Sequence, residues 1–127
     1  MCILEKCRIC AAENKLPATK KKVNDAVDFI DSNYSRIDMS LNLVADTIGV
    51  NASYLSNIFK KEKGCSLSKY LTQTRLEQAK KYLTEYPDKT LIEIAESIGY
   101  SDVYYFSKNF KKYYGISPSK YQEERKM

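Results

Sequence analysis

The chain contains no histidine, and it has only 4 glycines and 3 prolines in 127 residues. Each scarcity excludes something. Without histidine, the usual general base and commonest neutral metal ligand are missing. No nucleophile–base pair is legible, and no glycine-rich loop is present to cradle a phosphate. An enzyme is therefore not expected, and neither a cofactor nor a metal is implied. No apolar run approaches the ~18–20 residues of a membrane span, and residues 1–10 are too short and mixed for a signal peptide. The chain is read as cytoplasmic, without a membrane partner. Acidic residues are also absent between Asp102 and Glu123, while Lys108, Lys111, Lys112 and Lys120 fall inside that interval. The net charge of +5 says little by itself. Its concentration in one stretch points to phosphate contact.

What is present is organised around Thr90–Tyr121. Thr90 and Glu93 have the spacing of a capping box, which predicts a helix start. Leu91, Ile94, Ala95 and Ile98 then recur at helical intervals and mark one buried face. Gly99 follows, where a helix ends most easily in a positive-φ residue. Ser101 is the expected cap of the next helix. On that helix Phe106, Phe110 and Tyr113 share one side, and Tyr104, Ser107, Lys108 and Lys111 share the other. A short helix, a glycine turn and a second helix with a polar outer face form the pattern of a helix-turn-helix.

The pattern occurs twice. Leu41, Ala45, Ile48 and Gly49 match Leu91, Ala95, Ile98 and Gly99 at a shift of 50. Beyond the turn the shift is 51: Ser53 matches Tyr104, Ser56 matches Ser107, Asn57 matches Lys108, and Phe59–Lys61 matches Phe110–Lys112. One extra residue near Asp102 accounts for the change. A repeat of this kind predicts two equivalent subdomains.

These residues resemble the DNA-binding domain of the AraC/XylS family of transcription regulators. The resemblance is carried by Gly99–Lys112, Gly115–Pro118 and Tyr121 in the second copy, and by Tyr54–Lys61 in the first. Tyr70–Leu71, Arg75–Leu76 and Ala79–Lys80 carry it between them. It covers residues 23–122. It implies an all-α fold of about seven helices, with two helix-turn-helix subdomains joined by a long connecting helix.

The rest of the chain fits that frame. Residues 1–22 read as a linker or the remnant of an upstream domain. Cys2, Cys7 and Cys10 would need a fourth ligand to hold zinc and are read as thiols in a linker. Val23, Ala26, Val27, Ile30 and Tyr34 make the stripe of a support helix over 23–34. Ser40 and Asn51 are helix caps, and Gly64 and Ser66 mark a helix end and a helix start. The connecting helix runs to about Tyr86, where Pro87 and Asp88 break it. This divides the chain into 23–86 and 87–127. Ser117 and Pro118 open a final short helix.

The resemblance implies a sequence-specific regulator of double-stranded DNA, with RNA polymerase as a candidate partner. It also implies a sensing or receiver domain upstream that is missing from this chain. Its base-reading positions carry over to Ser53, Ser56, Asn57 and Lys60, and to Val103, Tyr104, Ser107, Lys108 and Lys111. Lys61 and Lys112 suit phosphate. Asn57 matches an adenine edge, Lys108 guanine acceptors, and Val103 a thymine methyl. Phe59, Phe106 and Phe110 are expected in the core. Tyr54 and Tyr105 are read as packing residues rather than base contacts. The competing reading is a helical protein-interaction module without DNA binding.

Overall fold

The computed structural model describes residues 18–125. Among them are seven helices and no strand: α1 (Ala18–Asn33), α2 (Leu41–Ile48), α3 (Ala52–Lys63), α4 (Leu67–Glu85), α5 (Leu91–Ser97), α6 (Val103–Tyr114) and α7 (Pro118–Arg125). Two compact units share them. Among the described residues, the first is 18–33 with Met39–Thr72; the second is Tyr34–Asp38 with 73–125. Helix α4 therefore begins in one unit and ends in the other.

In the first unit α1, α2 and α3 pack on one another. Helix α1 buries Val23, Ala26, Val27 and Ile30, as its stripe predicts. It starts at Ala18 rather than 23, because alanine and lysine favour a helix without supplying any apolar period. Helix α2 buries Val44 and Ala45, and Leu41 and Ile48 are only half-buried. Helix α3 contributes Leu55, Ile58 and Phe59. The Phe59 ring meets Tyr70 of α4 edge-on at 5.6 Å, and the Tyr70 hydroxyl donates to Asp31 at 3.1 Å. Cys2, Cys7 and Cys10 lie outside the described residues, as does most of the stretch read as a linker.

The second unit is built around Leu76, Ala79 and Leu83 of α4, Ile94, Ala95 and Ile98, and Phe106, Phe110 and Tyr121. Helix α5 packs on α6, and α6 on α7. Tyr34, at the end of the α1 stripe, serves this unit instead of the first. Burial, reinforced by a hydrogen bond with Tyr82, pushes its hydroxyl pKa up to about 12. Burial does the same to Tyr114, also to about 12.

The predicted caps form, with one correction. Ser40 Oγ accepts from the Leu43 N–H at 3.1 Å. Thr90 and Glu93 close a full capping box, and the N–H of Thr90 holds the Glu93 carboxyl below its ordinary pKa. Ser66 and Ser117 accept from Lys69 and Lys120 at the starts of α4 and α7. The cap of α6, however, is Asp102 and not Ser101. Asp102 Oδ1 accepts from Tyr104 N–H at 2.9 Å and Tyr105 N–H at 3.4 Å. Asn51 does the same for Ser53 and Tyr54 at the start of α3. Residue 102 is residue 51 displaced by the repeat's own shift of 51, so the extra residue lies before the cap, within the turn.

Candidate nucleic-acid interface

The two candidate reading helices are built alike. Each has 12 residues, begins at an Asx cap and ends at a glycine in the left-handed region, Gly64 (φ +78°) or Gly115 (φ +76°). Each turns its aromatic and aliphatic side chains inward: Leu55, Ile58 and Phe59 in α3, Phe106 and Phe110 in α6. That inward anchoring leaves much of the opposite side of each helix exposed.

The outward positions match pair by pair. Ser53 and Tyr104 are exposed, as are Asn57 and Lys108, Lys60 and Lys111, and Lys61 and Lys112. Ser56 and Ser107 are both half-buried at the edge of the face, and Val103 is half-buried like its counterpart Ala52. The sequence-predicted residues of each helix thus share one side, most of them accessible, though Val103 also packs against the core of its unit. Tyr104 stands out most, at 83% exposure.

Tyr54 and Tyr105 do not pack away as expected. They are 43% and 56% exposed and occupy equivalent places in the first turn of the two helices. Tyr105 rests one face near the Tyr100 ring at 5.9 Å. The rest of each phenol adds to the outer surface beside Ser53 or Tyr104. Tyrosine suits both a core and a wet face, so residue type alone does not sort these positions. Their coincidence at one repeat shift is the signal that does.

The charge of the two faces differs. Helix α6 carries Lys108, Lys111 and Lys112 with no acidic residue, and Asp102 stands just ahead of it as the cap. Helix α3 carries Lys60, Lys61 and Lys63 only in its last turn, with Glu62 among them. Glu62 faces Lys20 of α1 at 4.0 Å. The first turns of α3 thus offer hydroxyl and amide groups, while α6 offers ammonium groups from its middle to its last turn. Lysines at a C-terminal turn also complement the helix dipole. No group of three or more metal-ligating side chains occurs among the described residues.

Two short helices around a tight turn, the second with a polar outer face, repeated once along one chain, define a double helix-turn-helix domain. The family model "Helix-turn-helix domain" matches residues 44–124, and the chain belongs to this family, of AraC/XylS type. The chain is 35% identical over 122 residues to the Msm operon regulatory protein of Streptococcus mutans, covering 96% of this chain and 43% of that protein. It is 40% identical over 101 residues to the lactose operon transcription activator of Staphylococcus xylosus, covering 79% of this chain and 35% of that one. The chain thus spans less than half the length of either relative. Among solved structures, it is similar to the C-terminal domain of AraT, a response regulator from Geobacillus stearothermophilus. The TM-score is 0.81 with 36% identity, over 86% of this chain and 89% of that one.

Proposed function

We propose that the chain is the output domain of a transcription regulator that binds double-stranded DNA by sequence. The observation that carries this reading is the matched outer surface of α3 and α6: the same repeat positions are accessible in both, and both end in lysines. The two reading helices enter successive major-groove segments, about one turn or ~34 Å apart. Ser53, Ser56, Asn57 and Lys60 read the first segment; Val103, Tyr104, Ser107, Lys108 and Lys111 read the second. Lys61 and Lys112 hold phosphate and set the register without choosing bases. The functional modules are 23–86, which includes the connecting helix, and 87–127. The names of the two operon regulators support this reading. So does a chain that covers less than half of each, which leaves room for a sensing or receiver domain in a full-length regulator. Such a regulator works in the cytoplasm, where it meets the duplex and RNA polymerase.

Bound duplexes selected from a random pool supply the test. Fluorescence anisotropy at ~150 mM salt should show the selected duplex binding at least ~10³-fold more tightly than a scrambled one. Reversing Lys108 and Lys111 to glutamate should abolish the difference while leaving the helical circular dichroism unchanged. Equal weak binding to both duplexes by the unaltered chain would refute the reading.

A further inference from the structure

Arg75 is the only buried charged side chain among the described residues, at 9% exposure. A buried guanidinium must be satisfied, because an unmet charge is costly. Arg75 is satisfied by backbone. Its Nε donates to the Tyr34 carbonyl at 2.8 Å and its Nη2 to the Arg36 carbonyl at 2.7 Å. Burial lowers its pKa, yet a guanidinium stays charged at any working pH. The guanidinium also lies over the Tyr100 ring, 5.5 Å from its centre. A Cβ placed on Gly99 would fall 2.9 Å from Nη2 and 2.8 Å from the Tyr34 carbonyl oxygen. The turn of the second helix pair is thus pressed against this one side chain. From Tyr100 the contacts run on into α6. Its ring lies 5.6 Å from Phe106 and 5.9 Å from Tyr105, and its hydroxyl accepts from Asn109 Nδ2 at 3.4 Å.

We infer that Arg75 is a positioning residue for the second reading helix. Through Tyr100 it fixes the first two turns of α6. Through the carbonyls of Tyr34 and Arg36 it ties that placement to the segment between α1 and α2. The planar fork is what this needs: two donors at fixed angles and a flat face for the ring, where lysine offers one point charge. For DNA readout the inference rests on the function proposed above; its structural content does not.

The test uses the full chain with Arg75→Lys, which keeps the charge and loses the fork. Tyr100→Leu keeps apolar bulk, loses the ring, and carries the test should Arg75→Lys not fold. Amide hydrogen exchange without DNA is the first readout. Both variants should speed exchange in the first turns of α6 by about tenfold or more and leave α3 unchanged, as a local opening would. Base substitutions in selected duplexes are the second readout. Those in the half read by α6 should lose their cost, and those in the half read by α3 should keep it. Unchanged exchange in α6, or equal acceleration of α3 and α6, overturns the inference. A native chain with no base preference refutes the DNA reading instead, and the exchange contrast still decides the positioning role.

Discussion

Gly99 shows how much one residue can depend on its surroundings. Gly49 and Gly99 are repeat partners with positive φ, +79° and +99°. Nothing lies within 4 Å of a Cβ built on Gly49, while one built on Gly99 meets a backbone carbonyl at 2.8 Å. Both positions penalise alanine through φ, by roughly 1 kcal/mol. Only Gly99→Ala must also displace backbone. We expect Gly99→Ala to cost about 2–4 kcal/mol against about 1 for Gly49→Ala, read from urea midpoints at unchanged slope. Equal midpoints would show that the crowding at Gly99 relaxes freely. The need for glycine was legible from sequence, since a helix end and a turn call for it. The crowding was not. It comes from Tyr34 and Arg75, whose pairing across 41 residues leaves no periodic trace.

At the scale of elements, the caps carry much of the repeat's logic. Asn51 and Asp102 each satisfy two backbone N–H groups that would otherwise lack partners. Replacing either with alanine should cost about 1 kcal/mol. Asp102→Asn should cost little, because Asn51 already does this job in the first copy. Thermal unfolding of the four proteins checks both statements, and an Asp102→Ala variant as stable as the native chain would remove Asp102 as a cap. Helix existence was readable in the two helix-turn-helix pairs because apolar spacing and glycine mark each of their elements twice, at a shift of 50 before the turn and 51 after it. Two details were not readable. The lysines from 20 to 22 form helix without any apolar period to announce it. Ser101 and Asp102 are both good caps by type, and only the register of Asn51 distinguishes them. The outward faces of α3 and α6 were legible for the same reason as the helices. Tyr54 and Tyr105 escaped because a tyrosine is at home on either side.

For the whole molecule, alkaline pH is the informative axis. Tyr34 and Tyr114 titrate near 12 in the folded chain because burial disfavours the phenolate, against about 10 when unfolded. The folded form therefore holds these protons more tightly. The stabilisation is complete below pH ~10 and is lost as the pH rises from there through ~12. Urea midpoints should be level from pH 7 to 9 and fall beyond 10. Tyr114→Phe should make that fall shallower, which ties that part of it to the phenol. An unchanged fall in the variant would show that Tyr114 plays no part in it.

The residue that follows each turn glycine, Val50 in one copy and Tyr100 in the other, keeps the two turns from being exchanged. A chimera that borrowed Val50–Asn51 to replace Tyr100–Asp102 would keep its glycine and its cap, yet bring no aromatic plate for the guanidinium to rest on. The halves look like twins in outline, but they are not spare parts for each other.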